Sequence, residues 1–513
     1  MQQELGIVIS TPDSPSTTKI CFVCIDKPVH KGQYVQIKYI EGTLIGLVTD
    51  IIKINRYFEN QDSIKEFENN SVNIFDQFPI NEWEFLQAVV KPLGVFSQNN
   101  MFSKVTLPVS PGDRVYVAEP DVLSKFLHFK ENGLNLGMLE FPKLDVKFDL
   151  DRLLQKHLAI LAQSGAGKSY LTSVILEELL DRPKEQGRIA AVLIDVHGEY
   201  SHFSEPLGNK DKEHVDYSSK TRKINCADIK IGCTGLTDGF FFSILPNLSN
   251  VQKRELSKVI KKLKDDTYHG AGPYGLEDII TEIKNSDIKE NISRPLIDSI
   301  YELENYKLFG KIDQPSIFDV VQPGILTIID FSKEINLKKK QIIVYYFAHS
   351  LFYGRMHGSG VPPFLFIVEE AHQFAPETAK QEKAFAKPIL ETIAREGRKF
   401  GASLCLISQR PVRLSATILS QANTHIILRI TNPNDLKHIG QSSEGLDQKS
   451  LDMINSLPVG EALVVGEASS YPVFFKVRQK KSQDSHLEVS LSGLARSFEE
   501  KEDKKNKDIE SFM

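Results

Sequence analysis

The chain has 513 residues, of which 41% are hydrophobic and 25% charged, so it is long enough for two or three globular domains. Its formal net charge of −5 excludes a globally basic surface, and any nucleic-acid contact must be local, as in a lined channel. No apolar run approaches the ~18 residues of a membrane span, no signal peptide precedes the first strand, and five scattered cysteines are too few for a disulfide framework. We therefore expect a cytoplasmic protein without a membrane segment.

Residues 1 to about 120 are predicted to form a small β-barrel, because short apolar segments recur at regular spacing between turns. The polar, Asn-rich residues 58–80 are predicted to be a long loop. This region contains no catalytic constellation. It either binds nucleic acid or holds subunits together, and the second interpretation is the simpler one. Residues 121–150 are predicted to connect this barrel to the next domain.

A strand, a glycine loop and a helix follow one another in residues 157–180. The loop carries Gly165 and Gly167, and Lys168 and Ser169 open the helix. This order predicts a nucleoside triphosphate site, because the loop N–H groups and the helix N-terminus face phosphates, the lysine reaches the β- and γ-phosphates, and the serine ligates Mg²⁺. The predicted cofactor-binding residues of this loop are Gly165, Ala166, Gly167, Lys168, Ser169 and Tyr170.

The first position of this loop departs from the usual motif, because Ala162 stands where glycine is common. Alanine lacks easy access to positive φ. We expect the substitution to alter the loop geometry slightly and to leave phosphate capture intact.

Polar residues follow the next apolar strand, IAAVLID, at the place where ligands bind in open α/β sheets. These residues are Asp195, His197 and Glu199. A ligand role and a polar loop that caps the strand are equally good interpretations. Residues 201–237 are predicted to be loops and short strands, and the helical periodicity between about 249 and 312 predicts an all-helical insertion.

Adjacent carboxylates, Glu369 and Glu370, end the apolar strand of PFLFIVEEAHQFAP. In a phosphate-loop ATPase, the first carboxylate on this strand holds Mg²⁺ and the next acts on the attacking water. We therefore predict that Glu369 supports the metal together with Ser169, and that Glu370 is catalytic. Coupled to the phosphate loop, the pair indicates hydrolysis rather than nucleotide binding alone.

A helix and a strand after these carboxylates carry further polar residues. Gln409 lies at the tip of the strand ASLCLISQRP, where a glutamine beside the γ-phosphate can sense hydrolysis. Arg395 and Arg398 lie on the preceding helical segment, and arginines placed there can stabilise transferring phosphoryl charge within a subunit or across to a neighbour.

The motifs resemble those of the HerA branch of the HerA/FtsK superfamily over nearly the whole chain. The matching blocks are AQSGAGKS, IDVHGEY, EEAHQFAP, AREGRKFGASLCLISQRP and LPVGEALVVG. The run EGRKFG…SQRP, at its distance from EEAH, is the most specific of them. The departures are Ala162, and Val196 where proline is expected, and neither removes a charged or phosphate-contacting side chain.

The resemblance implies a homo-hexameric ring that uses ATP and Mg²⁺ to translocate double-stranded DNA through its pore, with a NurA-like nuclease partner in DNA end resection. It implies that an arginine, Arg395 or Arg398, acts at the nucleotide site, in cis or in trans. It adds Lys156, just before the phosphate-loop strand, as a further candidate for a trans contact, and the strand YPVFFKVR as part of the base or ribose pocket.

The expected fold is α/β, with a RecA-like P-loop ATPase core at 151–480, the helical insertion at about 249–312 and the barrel at 1–120. Residues 481–513 are expected to form a charged tail or an inter-subunit arm. Three alternatives to a repair motor stay open. They are a HerA-like ATPase of an anti-phage defence complex, a motor of conjugation or secretion, and a nucleotide-switched scaffold that organises a nuclease.

Overall fold

The computed structural model describes residues 3–25, 28–55, 65, 84–97, 101–208, 213–378, 384–443, 445–484, 492–493, 495–496 and 498–499. The predicted loop at 58–80 therefore lies outside the described residues except for Lys65, and so does most of the predicted tail. The chain divides into two compact units. The first comprises Met1–Leu154, Ile160–Gly167 and Asn423–Gln479, and the second comprises Gln155–Ala159, Lys168–Ala422 and the described residues after Lys480. The domain boundaries proposed from the sequence stay a prediction.

A closed β-barrel occupies the N-terminal part of the first unit. Its strands are β1 (Glu4–Val8), β2 (Ile20–Cys24), β3 (Tyr34–Tyr39), β4 (Gly42–Asn55), β5 (Glu84–Phe96), β6 (Phe102–Ser103) and β7 (Arg114–Val117). Because β2 pairs with both β1 and β5, the order β2-β1-β7-β3-β4-β5 closes on itself, and β6 extends β5 at the edge. Fully buried side chains such as Leu5, Ile20, Val35 and Val90 fill its core. The predicted small barrel is confirmed.

Further strands follow the barrel along the chain. They are β8 (Leu134–Leu139), β9 (Leu144–Phe148), β10 (Leu158–Leu161), β11 (Ala190–Asp195), β12 (Thr221–Asn225), β13 (Ile231–Gly232), β14 (Phe309–Gly310), β15 (Leu326–Asp330), β16 (Phe364–Val368), β17 (Ala402–Ser408), β18 (Thr424–Ile427), β19 (Glu461–Gly466) and β20 (Val473–Val477). The first unit holds the run β18-β19-β20-β8-β9, whose neighbours all pair antiparallel.

The helices of the described chain are short, except in the insertion and beside the central sheet. They are α1 (Pro120–Phe126), α2 (Lys168–Asp181), α3 (Asp238–Ile244), α4 (Asn250–Tyr268), α5 (Leu276–Asn285), α6 (Glu290–Glu304), α7 (Ile317–Val320), α8 (Leu337–Met356), α9 (Lys387–Glu396), α10 (Ala416–Gln421), α11 (Pro433–Ser442) and α12 (Gln448–Asn455). Helices α4, α5 and α6 form the predicted helical insertion. None of the helices in the described part of the chain has the length and apolar character needed to cross a bilayer.

Five parallel strands in the order β12-β15-β11-β16-β17 form the sheet of the second unit. Strands β11, β15, β16 and β17 are buried along their whole length, as continuous apolar runs with helices on both faces require. Because the strands are parallel, their carboxyl ends share one edge. Asp195 and Asp330 are register partners there, and Glu369 and Gln409 follow the ends of β16 and β17. This edge positions the candidate site.

The lysines at the start of α8 have partners within the second unit. Lys338 pairs with Glu302 at 3.0 Å and Lys339 with Glu334 at 3.0 Å. Lys340 is buried, with its ammonium 5.9 Å from the centre of the Phe331 ring. Contacts within the second unit therefore compensate for the unfavourable position of these lysines at the positive end of the helix dipole.

The first residues after β20 pack on the phosphate-loop helix α2. Glu177 of α2 is fully buried and accepts hydrogen bonds from the backbone N–H groups of Lys481 and Ser482, each at 2.8 Å. The backbone N–H of Lys480 donates to the Tyr170 hydroxyl at 2.8 Å. The start of the segment predicted as a tail is therefore an ordered strap on α2.

Candidate active site

The phosphate loop turns on its two central glycines. Gly165 has φ 74° and Gly167 has φ 98°, values that a side chain rarely tolerates. Ala162 is fully buried and does not have a positive φ, so the loop makes no demand there that alanine fails to meet. Gln163 anchors the loop, because its side-chain oxygen accepts hydrogen bonds from the Thr431 backbone N–H and hydroxyl at 3.1 and 2.9 Å. The expected distortion at Ala162 is absent from this backbone.

Lys168 opens α2 with its ammonium in contact with both predicted carboxylates. Its Nζ lies 2.8 Å from Glu370 Oε1 and 3.5 Å from Glu369 Oε1, and the Lys168 side chain is only 6% exposed. Burial by itself would lower the pKa of Lys168, but the charges of Glu369 and Glu370 outweigh burial and raise the pKa above its ordinary value. The lysine is therefore a cation held ready for phosphate.

An unusual backbone conformation brings the two adjacent glutamates to one lysine. Successive residues of a strand point to opposite faces of the sheet, so two neighbours cannot share a partner while the strand continues. The strand β16 ends at Val368, and Glu370 has φ 47° and ψ 44° in the left-handed region. That conformation is costly for a residue with a side chain, and it concentrates at functional sites. Here it turns the second carboxylate back towards Lys168.

Glu369 is buried, and its two carboxylate oxygens have different partners. Its Oε2 accepts a hydrogen bond from the Val196 backbone N–H at 2.9 Å, whereas Oε1 has no hydrogen bond within the residues that the structure describes and forms the 3.5 Å ion pair with Lys168. Burial raises the pKa of Glu369, and the neighbouring carboxylates of Asp195 and Glu199 raise it further, against the lowering effect of Lys168. A divalent cation would relieve this excess of negative charge.

The donor set fits Mg²⁺ bound jointly by protein and nucleotide. No cluster of three or more metal-ligating side chains occurs in the described part of the chain. Mg²⁺ at nucleotide sites keeps several waters and takes only one or two protein oxygens in addition to phosphate oxygens. The Ser169 hydroxyl and the Glu369 carboxylate are oxygen donors of this kind, so the residues present fit the metal.

Comparisons with known proteins show which proteins this chain is similar to. Residues 134–351 match the family described as "Helicase HerA, central domain". A probable helicase of Methanocaldococcus jannaschii is 29% identical over 472 residues, which cover 87% of this chain and 86% of that protein. The DNA double-strand break repair helicase HerA of Saccharolobus solfataricus is 25% identical and covers 95% of both chains.

Over most of its length the chain is similar to HerA-type ATPases.

This similarity identifies it as an ATP-hydrolysing enzyme. Among solved structures, VirB4 of Thermoanaerobacter pseudethanolicus matches 68% of this chain and 97% of its own, with a TM-score of 0.51 and 16% identity. That likeness concerns the fold alone, and it agrees with the α/β core described above.

A histidine that the sequence did not single out contacts the predicted catalytic residue. His372 Nδ1 lies 3.3 Å from Glu370 Oε2 and 3.2 Å from the Ser408 hydroxyl, which in turn accepts a hydrogen bond from the Arg410 backbone N–H at 3.1 Å. Ser408 ends β17, directly before the half-buried Gln409. A chain of contacts thus runs from Glu370 to the strand end that carries the predicted sensor. The histidine of EEAH was its only signal in the sequence.

The loop after β11 also reaches the serine that follows the phosphate loop. The Ser169 hydroxyl donates a hydrogen bond to Glu199 Oε2, and the fully buried Asp195 organises the loop that carries Glu199. His197, from the same block, is exposed. Of the two interpretations left open for IDVHGEY, the contact of Glu199 with Ser169 favours a role at the site.

The remaining predicted site residues do not join this cluster. Arg395, in the last turn of α9, and Arg398, in the following turn, are both exposed. Lys156 is half-buried before β10, and Tyr170 is held by the strap. The structure therefore brings together Lys168, Ser169, Glu369 and Glu370 within the second unit and leaves the arginines on the surface.

Proposed function

We propose that this chain is a HerA-type ATPase that forms a ring-shaped motor and uses ATP and Mg²⁺ to translocate double-stranded DNA. The observation that carries the proposal is the contact of Glu370 with Lys168 on one side and with His372 on the other. A carboxylate held between the phosphate-binding lysine and the end of β17, next to the proposed sensor Gln409, suits repeated turnover. A scaffold that only switches on nucleotide binding would not need it.

Each predicted site residue has a role in this proposal. Lys168 binds the β- and γ-phosphates, Ser169 and Glu369 hold Mg²⁺, Glu370 orients the attacking water, and Gln409 reports the state of the γ-phosphate. The bound metal supplies charge neutralisation at the phosphates. The exposed Arg395 or Arg398 acts at a nucleotide site, and a homo-hexamer supplies the neighbouring subunit that either would reach.

The proposals of a DNA substrate and of a nuclease partner are based on the relatives and on the family resemblance. Several relatives carry the name DNA double-strand break repair helicase HerA, and that name supports duplex DNA as the substrate. A NurA-like nuclease is the expected partner in end resection. An effector of an anti-phage defence complex is the alternative partner, and isolation of the native complex decides between them.

Duplex-stimulated ATP hydrolysis and displacement of a third DNA strand from a duplex test the proposal. We expect the purified chain to hydrolyse ATP faster with linear duplex DNA, to displace a triplex-forming strand only with ATP, and to form hexamers by native mass measurement. DNA affinity should fall steeply with added salt, because phosphate contacts release counterions. Lys168→Ala is the matched variant without phosphate capture. ATP hydrolysis that ignores duplex DNA, together with no strand displacement, would contradict a translocase and favour the scaffold.

A further inference from the structure

The hydroxyl of Ser169 donates a hydrogen bond to a carboxylate that does not belong to the strand carrying the proposed metal ligand Glu369. The acceptor is Glu199 Oε2, and Glu199 is half-buried. Glu199 also contributes to the raised pKa of Lys168 next door. Three carboxylates, Glu199, Glu369 and Glu370, therefore interact with the adjacent pair Lys168 and Ser169.

The loop that carries Glu199 is built around a buried aspartate. Asp195 is fully buried, and its carboxylate accepts hydrogen bonds from the backbone N–H groups of Gly198, Glu199 and Tyr200 at 2.6, 3.1 and 3.0 Å. Gly198 has φ 80°, which allows the chain to turn there. Tyr200 is fully buried and fixes the far side of the turn. Glu199 is thus presented to Ser169 by a loop whose backbone donors are already satisfied.

This contact has a direct consequence for a metal ligand. A serine hydroxyl has one proton and two lone pairs. When a carboxylate accepts the hydrogen bond from the serine hydroxyl, the two lone pairs of the serine oxygen point away from that carboxylate and can bind a cation. The negative charge of Glu199 also lies beside that position, where it attracts a divalent cation and repels the phosphates of a nucleotide that brings no metal.

We propose that Glu199 makes nucleotide binding depend on Mg²⁺, by orienting the Ser169 hydroxyl and by placing a negative charge next to the metal. The inference rests on the proposed role of Ser169 as a metal ligand. It goes beyond that role because it assigns the selection of metal-bound over metal-free nucleotide to a residue outside the phosphate loop and outside the Glu369–Glu370 pair. DNA translocation has no part in it.

Equilibrium binding of a fluorescent ADP, with excess Mg²⁺ and with a chelator, measures this selection in the full-length chain. Glu199→Gln keeps the size of the side chain and an oxygen that accepts the Ser169 proton, but it removes the charge. We define the ratio as the dissociation constant with chelator divided by the dissociation constant with Mg²⁺. We expect this ratio to fall about tenfold in Glu199→Gln, because one charge near the metal is lost. The affinity of the ADP complex for Mn²⁺, measured by electron paramagnetic resonance, should fall in parallel. His197→Gln, two positions away on the same loop, is the matched control and should keep the wild-type ratio.

A second pair of variants tests the route through the serine. In a Ser169→Ala background no hydroxyl remains to be oriented, so Glu199→Ala should change the ratio less than it does in the wild-type background, and by about as much as the loss of charge in Glu199→Gln does. An undiminished effect in that background would overturn the proposal, and so would an unchanged ratio in Glu199→Gln with a wild-type melting temperature. If Glu199 controls the Mg²⁺ dependence of nucleotide binding as expected but duplex DNA does not stimulate ATP hydrolysis, the proposed motor function is refuted and the role of Glu199 stands.

Discussion

Lys168 Nζ lies 2.8 Å from Glu370 Oε1, so the phosphate-binding lysine and the predicted water-orienting carboxylate neutralise each other. Both side chains are nearly buried, at 6% and 5% exposure. Truncating one member of such a pair leaves the other as an unpaired buried charge, at a cost of about 3–5 kcal/mol. We expect the phosphates of ATP to compete for Lys168 and to free Glu370 to orient the attacking water. In the proposed function, the contact therefore links nucleotide binding to the readiness of Glu370 for catalysis.

Glu370→Gln should separate binding from hydrolysis. Glutamine retains the size of the side chain and an oxygen for Lys168, but it cannot act as a base. We expect ATP hydrolysis to fall by about 10²–10⁴-fold while nucleotide affinity stays within a few-fold of wild type. Lys168→Ala, in contrast, should lose nucleotide affinity, and its melting temperature must be measured because it strands two buried carboxylates. Normal turnover in Glu370→Gln would show that Glu370 is not the catalytic carboxylate.

His372 should affect turnover more than substrate affinity. It contacts Glu370 at 3.3 Å and the Ser408 hydroxyl at 3.2 Å, so its removal frees the carboxylate to adopt other orientations. We expect His372→Ala to lower kcat about tenfold or more with little change in KM for ATP, since loss of catalytic orientation acts on the transition state. Ser408→Ala should act in the same direction and more weakly. A change confined to KM would place His372 in nucleotide binding instead.

The exposed arginines can be assigned to cis or trans action by mixing subunits. An Arg395→Ala or Arg398→Ala subunit retains its own Lys168, and a Lys168→Ala subunit retains both arginines. If an arginine acts on the neighbouring site, mixed rings contain some complete sites, and ATP hydrolysis should exceed that of either variant alone. An arginine that acts in cis gives no such recovery.

Lys399→Ala is the matched control for these variants. Lys399 is also exposed, and it pairs with Glu396 at 2.6 Å on the same segment. Its loss should leave ATP hydrolysis near the wild-type rate, because surface ion pairs contribute little. If neither arginine variant lowers ATP hydrolysis below that of Lys399→Ala, both arginines are surface charges without a catalytic role.

The parts of the site that are contiguous in sequence could be predicted from it. Glycine, lysine and serine spacing identifies a phosphate loop, and a buried strand ending in two glutamates identifies the second landmark, because each motif is a local segment. The barrel and the helical insertion were predictable for a similar reason, since periodicity is a local signal.

The contacts that join these segments could not be predicted in the same way. Glu199 meets Ser169 across 30 residues, and His372 meets Ser408 across 36, so each pairing depends on strand order and on loop geometry. The left-handed backbone of Glu370 is invisible in a sequence because glutamate rarely adopts it. The strap after Lys480 resembled a tail because its hydrogen bonds to Glu177 come mostly from backbone N–H groups, which every sequence has.

Restoring the usual glycine at position 162 should not improve this site. Ala162 is fully buried and its φ is not positive, so glycine would add freedom to the unfolded chain and remove a buried methyl group. We expect Ala162→Gly to lower the free energy of unfolding by about 0.5–1 kcal/mol, with nucleotide affinity unchanged. Urea denaturation and nucleotide titration measure the two quantities. Tighter nucleotide binding in the variant would mean that alanine does constrain the loop.

His157 should make the stability of the chain fall in acid. It is buried with φ 65°, and its Nδ1 accepts a hydrogen bond from the Leu404 backbone N–H at 3.0 Å, so the ring is neutral. Burial lowers its pKa to about 4, against a smaller opposite effect from the Ala394 backbone. The unfolded chain, with a histidine pKa near 6.5, then binds more protons below pH 6.5, so stability decreases as the pH falls from 6.5 towards 4.

His157→Asn tests this effect at one position. Asparagine tolerates the left-handed backbone, and its side-chain oxygen can accept the Leu404 N–H, but it does not titrate. Between pH 7 and pH 5 the wild-type chain should lose about 2 kcal/mol more unfolding free energy than the variant. Urea denaturation at both pH values gives this difference, and the other titrating groups, present in both chains, cancel from it. Equal losses in the two chains would mean that His157 is protonated as readily in the folded chain as in the unfolded chain, so that its Nδ1 is not held as an acceptor for the Leu404 N–H.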